Sequence, residues 1–333
     1  MRVLVIDDSL LVRAFVGDVL GKIPGVEICG RAADGQAGLD AILSLKPDLV
    51  ILDIEMPLMD GITLLGELKT RGVKVPVIML STLTQHGARA TFQCLELGAL
   101  DFIPKPTSQS SIPEIEELLR EKVTGLLEPA ARQPVPTVVQ RPHEGKSEIL
   151  VIGSSTGGPQ SLHRIFLGVP GDFPAPILIV QHMPPVFTAA FADRLNQITA
   201  LNVVEAKDST TLTAGTVYLG PGNRHMCLRG TKKNATLHLT DDPPVNAHRP
   251  SIDYTLNSVV DLFGGAAAAL MMTGMGRDGV SAMKRLHDLG GATFAQDEAS
   301  SVVFGMNRRA IEAGAVDRIV SLDEAWSVMA SYF

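Results

Sequence analysis

The stretch RVLVIDDSLLVRAFVGDVL, Arg2–Leu20, decides the fold of the N-terminal half. Val3–Ile6 is a run of four aliphatic residues, short and uninterrupted, which reads as a strand buried on both faces. Two aspartates follow at once. Leu10–Leu20 then carries apolar residues near a 3.6-residue period, the pattern of an amphipathic helix. Strand, polar turn and helix together form the repeating unit of a parallel α/β sheet. The unit recurs, with strand candidates at Val26–Cys29, Leu49–Leu52, Val77–Leu80 and Leu100–Ile103. Helix candidates lie at Gly35–Leu45, Ile62–Leu68, Ala88–Leu97 and Pro113–Leu127. Residues 1–123 are therefore expected to form a doubly wound, flavodoxin-like (βα)5 domain.

Beyond it the pattern breaks. Residues 124–146 hold Pro129, Pro134, Pro136 and Pro142 and show no apolar period, which reads as a semi-rigid interdomain linker. The alternation resumes in 147–333, with buried-strand candidates at Ile149–Ile152, Ile177–Val180, Ala267–Met272 and Ala292–Ala295. Residues 160–167, 185–197, 251–262 and 278–289 read as helices. Thr216–Leu219, Met226–Arg229 and Thr236–Thr240 alternate between turn signals and are expected to form an antiparallel hairpin insertion. The second domain thus reads as a Rossmann-like parallel sheet.

Composition narrows the function. Lys and Arg number 29 against 36 Asp and Glu, a formal charge of −7, and neither domain is basic, which argues against a nucleic-acid partner. The three cysteines form no CxxC pair, so neither a disulfide scaffold nor a structural zinc site is expected. Two aspartates within the first eight residues are incompatible with the apolar core of a signal peptide. No apolar run approaches the roughly 18 residues needed to cross a bilayer. A cytoplasmic protein without direct membrane insertion is the expectation.

In doubly wound sheets ligands sit at the carboxyl ends of the strands. In the first domain those ends carry Asp7 and Asp8, Asp53, Ser81 and Lys105. Clustered carboxylates repel one another unless a hard cation joins them, and Mg²⁺ suits a site with few protein ligands. A carboxylate beside Mg²⁺ and an ammonium group is a plausible phosphoryl acceptor. Any single aspartate at such a place could simply cap the next helix; five such residues at their strand ends argue for a site.

In the second domain, GSSTGGP (Gly153–Pro159) follows a strand and opens a helix, with Ser155 central in a G-x-S-x-G turn. Read alone, such a turn is more often an anion or phosphate cradle. His182 ends the next strand, ILIVQH, and is the best placed of the eight histidines to act as base, with His248, in a Pro-flanked loop, a weaker competitor. TGMGRDG (Thr273–Gly279) follows a third strand and places Asp278 where an orienting acid is expected, although an aspartate there could equally be a helix N-terminal charge. The same GMGRDG also matches a G-x-G-x-x-G dinucleotide fingerprint, with Asp297 beyond the next strand. A non-catalytic, dinucleotide-binding output domain is therefore the alternative.

Several longer motifs carry a family resemblance. DIEMPLMDG (Asp53–Gly61), LST (Leu80–Thr82) and DFIPKP (Asp101–Pro106) make residues 1–122 resemble the receiver domain of two-component response regulators. That resemblance implies Asp53 as phosphoacceptor, with Mg²⁺ held by Asp7, Asp8, Asp53 and the backbone carbonyl of Glu55. It implies Ser81, Phe102 and Lys105 as switch residues, and a cis Lys105–Pro106 bond. GSSTGGP, QHMPPVFTAAFADRLN, PGNRHM, PPVNAHRPSID and TGMGRDG make 147–333 resemble the catalytic domain of chemotaxis methylesterases, the CheB family. This implies Ser155 as nucleophile, His182 as general base and Asp278 as its orienting acid. Thr156 and the Met275 N–H would serve the oxyanion, and PPVNAHRPS would border the substrate. The family hydrolyses glutamate methyl esters on chemoreceptors, and some members deamidate glutamines there. Its phosphodonor is a chemotaxis histidine kinase, its catalytic domain uses no cofactor, and its unphosphorylated receiver restrains the catalytic domain.

Overall fold

A computed structural model of the chain describes residues 1–106, 111–127, 138 and 146–333. The chain divides into two compact units, Met1–Pro129 and Ala130–Phe333. In the first, five strands alternate with five helices: β1 (Arg2–Ile6), α1 (Leu10–Gly21), β2 (Glu27–Ala32), α2 (Gly35–Leu45), β3 (Leu49–Asp53), α3 (Gly61–Thr70), β4 (Val77–Ser81), α4 (Gln85–Leu97), β5 (Asp101–Pro104) and α5 (Ile112–Leu127). The sheet is wholly parallel, in the order β2-β1-β3-β4-β5. Every residue of β3 and β4 is buried, as the aliphatic runs require when helices cover both faces. Ser9, Asp34, Asp60 and Thr84 each cap the helix that follows through a side-chain oxygen. The capping role open to Asp8 thus falls to Ser9, which leaves the aspartate for other work. Helix α5 runs to Leu127, so residues 124–127 of the expected linker are helical. Of its remainder, 128–137 and 139–145 lie outside the described residues.

The second unit holds β6 (Ile149–Ser154), α6 (Gly158–Phe166), β7 (Ile177–Gln181), α7 (Phe187–Ile198), β8 (Asn202–Glu205), β9 (Thr216–Leu219), β10 (His225–Thr231) and β11 (Asn234–Thr240). It continues with α8 (Ile252–Phe263), β12 (Ala267–Met271), α9 (Val280–Asp288), β13 (Ala292–Gln296), α10 (Met306–Glu312), β14 (Arg318–Val320) and α11 (Leu322–Ala330). Seven strands form a parallel sheet in the order β14-β13-β12-β6-β7-β9-β8. One sequence expectation needs correction. Thr216–Leu219 is not part of the hairpin; it lies in the main sheet, parallel to both β7 and β8. All four of its residues are buried, which the alternation of TVYL concealed. The insertion is the two-stranded ribbon β10–β11, whose apolar face (Met226, Leu228, Leu237, Leu239) joins the core beneath α8.

In each sheet the strand order reverses beside the first strand of its unit. In the first unit this puts the ends of β1 and β3 at the switch point, and in the second those of β12, β6 and β7.

Candidate phosphoacceptor and active sites

Asp7 follows β1 and is fully buried, Asp53 closes β3 with only 2% exposure, and Asp8 is exposed at the rim. One oxygen of each lies within 4.8 Å of the others. Lys105, just past β5, places Nζ 2.8 Å from Asp7 Oδ2 and 2.7 Å from Asp53 Oδ2. Burial pushes the Asp53 carboxyl up to about 6, against the pull of the Lys105 hydrogen bond. Burial likewise opposes the Lys105 charge, but its bonds to Asp53 and Asp7 outweigh this and hold the ammonium above its ordinary range. Three carboxylates facing one cation leave negative charge in surplus. The donors are all oxygen, and Asp8 opens the site to solvent, which fits Mg²⁺, an ion that keeps several waters.

Glu55 turns its side chain to solvent, while its backbone N–H donates to Asp53 Oδ1 at 3.3 Å. Asp8, Glu55, Asp60 and His86 line an open depression of about 400 Å³. Ser81, at the end of β4, directs its hydroxyl into α4: Thr91 Oγ1 is 2.7 Å from it, and Gly87 O accepts from it at 3.2 Å. Phe102 is buried, edge-on to Phe92 with ring centroids 6.3 Å apart. The expected cis bond at Lys105–Pro106 is absent; the one cis peptide among the described residues is Arg249–Pro250.

In the second unit the first strand of the reversal ends in a sharp turn. Gly157 caps α6 at φ +77°, and a Cβ there would sit 2.5 Å from Val302 Cβ. Both facts require glycine. Gly157→Ala is expected to cost about 1–3 kcal/mol in urea unfolding; unchanged stability would contradict this packing. The turn leaves Ser155 3% exposed. Gln181, buried at the end of β7, fixes the turn from beside. Its Oε1 accepts from Ser154 Oγ at 2.6 Å, and its Nε2 donates to the carbonyls of Ser155 and His182 at 3.0 Å each.

His182 Nε2 lies 2.9 Å from Asp278 Oδ2. Asp278, 1% exposed, gathers four more donors: Ile252 N–H at 2.6 Å, Ser251 Oγ at 2.7 Å, Asn246 Nδ2 at 2.8 Å and Asp253 N–H at 3.3 Å. Burial alone would raise its pKa. Hydrogen bonding and charge from His182, with the bonds from Asn246 and Ile252, outweigh burial and hold the carboxyl well below the usual carboxylate range. A carboxylate fixed in this way accepts from Nε2–H, so in the neutral ring it is Nδ1 that holds the lone pair. Nδ1 is buried and makes no hydrogen bond, and the same is true of Thr156 Oγ1. His182 and Asp278 are thus paired directly, and Gln181 ties the backbone of Ser155 to that of His182. Met275 lies in the following loop, whose Gly274 is tied on both sides, N–H to Val303 O at 3.0 Å and C=O to Met306 N–H at 2.8 Å.

Two of the three glycines of GMGRDG, Gly274 and Gly279, are used for close packing, while Gly276 serves a left-handed turn at φ +91°. A Cβ on Gly274 would fall 2.7 Å from Ser155 Cβ, and one on Gly279 2.4 Å from Ile252 Cγ2. The loop is thus pressed against the Ser155 turn and α8, and the charge that would face a pyrophosphate is spent on His182.

Residues 150–329 match the family model described as CheB methylesterase, and 3–116 the model described as response regulator receiver domain. A Koribacter versatilis protein named protein-glutamate methylesterase/protein-glutamine glutaminase 2 is 44% identical, over 97% of this chain and 93% of that protein. The chain belongs to the CheB methylesterase family. An Archaeoglobus fulgidus member of similar name is 41% identical over 96% of this chain and 94% of that protein. The crystal structure of the Thermotoga maritima CheB methylesterase catalytic domain superposes with a TM-score of 0.55 at 37% identity, covering 57% of this chain and all of that one.

Within this CheB chain, reading from sequence missed several residues that the site uses. Gln181, Asn246 and Ser251 hold the turn and the acid. His248, weighed as a rival base, instead stacks on His182 with ring centroids 3.7 Å apart and planes 14° from parallel. The density of polar residues in PPVNAHRPSID was the available signal.

Proposed function

We propose that this protein hydrolyses glutamate methyl esters on chemoreceptors, with Ser155 as nucleophile, and that phosphorylation of Asp53 raises the rate. One observation carries the catalytic half of the reading. His182 is bound to Asp278 through Nε2, while Nδ1 and the Thr156 hydroxyl, the atoms a substrate needs, are buried and unpartnered. The names of the relatives supply the substrate.

In this reading Nδ1 takes the Ser155 proton as Oγ attacks the ester carbonyl. The oxyanion so formed is met by the Thr156 hydroxyl and the Met275 N–H. His182 returns the proton to the leaving oxygen, and methanol departs. Nδ1 then deprotonates a water, which attacks the acyl-serine; the acyl–Oγ bond breaks, His182 returns that proton to Ser155 Oγ, and the glutamate carboxylate is freed. A glutamine side chain would follow the same path and release ammonia. Asp278 stays ionised throughout and stabilises the imidazolium. No nucleic acid takes part. No helix among the described residues is long and apolar enough to cross a membrane, and a cytoplasmic location follows from the partners proposed.

In the receiver, the Asp53 carboxylate accepts a phosphoryl group from a chemotaxis histidine kinase or a small phosphodonor. Asp7, Asp8, Asp53 and the Glu55 carbonyl would hold Mg²⁺, which when bound neutralises charge on the transferring group. Lys105, already paired with Asp53, would follow the charge onto the phosphoryl oxygens. Ser81 would exchange its bonds in α4 for one to the phosphoryl group, and Phe102 would respond to the space this leaves. Asp53→Asn is expected to remove stimulation of methanol release by acetyl phosphate and to keep the unstimulated rate. Stimulation that survives in Asp53→Asn would refute the assignment.

A further inference from the structure

The four donors on Asp278 besides His182 come from one segment, the strap Pro243–Ser251 with the first turn of α8. The strap is not a relaxed loop. Asn246 and Ala247 are both left-handed, at φ 53° and 66°, in a turn closed by two hydrogen bonds between Val245 and His248. An alanine there is strained, and such strain persists only where surrounding contacts fix it. His248 leaves this turn to stack on His182.

Arg249 ties the strap to Asn223 and to the carbonyls of Asp241 and Asp242, and a histidine outside the triad joins its two ends. His225, the first residue of β10, is fully buried. Its Nε2 is 3.1 Å from the carbonyl of Pro243, and its Nδ1 is 3.3 Å from the N–H of Ser251. One ring therefore closes both ends of the strap. A carbonyl can only accept and an N–H can only donate, so the arrangement requires the neutral Nε2–H tautomer. The surroundings suit it. Burial is the main influence pulling the pKa of His225 down. Arg249 of the strap adds to it, against the Pro243 carbonyl, Asp242 at the ribbon end and Asp278. Tyr254 of α8 stacks on the remaining face, centroids 4.2 Å apart.

We propose that His225 is a positioning residue of the esterase: by clasping Pro243 and Ser251 it seats Asn246, Ser251 and the α8 N-terminus on Asp278, and so sets His182. The inference rests on the triad reading given above. It is specific in chemistry, since the site needs one donor and one acceptor about a ring's width apart. A glutamine side chain can supply the donor to Pro243 and an acceptor beside it without a titratable group. Leucine supplies neither.

The test is steady-state methanol release from methylated receptor membranes by the full-length, phosphodonor-activated protein. His225→Leu is expected to lower kcat about 100-fold, the scale of a misplaced catalytic group, with KM within about twofold. His225→Gln is expected to restore kcat to within about threefold, on the same principle that geometry sets the rate. Where the leucine variant does not fold, His225→Asn, too short to reach the Pro243 carbonyl, takes its place. Equal losses in the glutamine and leucine (or asparagine) variants, or no loss in any, would overturn the proposal. His182→Ala run in parallel separates the two readings: if that variant keeps its activity, the triad assignment fails, whatever His225 does.

Discussion

Ser155→Ala is expected to lower methanol release from methylated receptor by about 10⁶-fold, the loss seen when the nucleophile of such a triad is removed. The fold should not notice. The turn is held by backbone hydrogen bonds, Ser155 N–H to Thr273 O and Gly158 N–H to Ser155 O, and by Gln181, all of which alanine keeps. The Cβ that packs toward Gly274 is retained in alanine. Unfolding midpoint and circular dichroism should therefore match wild type while turnover disappears into the blank. An alanine variant that kept even a few per cent of the rate would remove Ser155 from the mechanism.

The second large effect is expected at Asp278. An asparagine there keeps the size of the side chain and reverses the chemistry of one atom. With its carbonyl oxygen left toward Ser251 and Asn246, its amide would point N–H groups at His182 Nε2 and at the N–H of Ile252. The imidazole then turns to the tautomer with its proton on Nδ1, which can no longer take a proton from Ser155. A wrong tautomer in such a triad lowers kcat by about 10⁴-fold. The Ile252 N–H loses its acceptor as well, at a cost of about 1–3 kcal/mol in stability. The pH dependence of stability should change too. Because the folded pKa of Asp278 is depressed, its contribution is complete above the ordinary Asp value of about 3.9 and fades as pH falls through the lower folded value. Asp278→Asn should lose that acid-limb dependence, as read in denaturant unfolding across pH. A variant with wild-type turnover would contradict the orienting role.

How far these sites were legible in the sequence depended on the range of the interaction. Asp7, Asp53, Ser155 and His182 each end an aliphatic run, and a strand end in a parallel sheet is located by local pattern alone. Asp278 was found the same way, from the strand before it. The misreading of Thr216–Leu219 has the opposite cause: four alternating residues suit a ribbon as well as a sheet, and only the pairing with β7 and β8 decides. β8 and β14 were missed because four and three residues carry too little period to register. The strap was out of reach for a further reason. Asn246 meets Asp278 across 32 residues of chain, and His225 meets Ser251 across 26, so no spacing rule connects them. From its Pro-flanked loop His248 reads only as a competing base; its place against the face of His182 depends on two consecutive left-handed residues that sequence does not announce.

The most direct measurement is the initial rate of methanol release from methylated receptor membranes by the full-length protein, with and without acetyl phosphate and Mg²⁺. A measurable rate is expected without the phosphodonor and a clearly higher one with it. No methanol in either condition would contradict the esterase, and the same rate in both would contradict the switch.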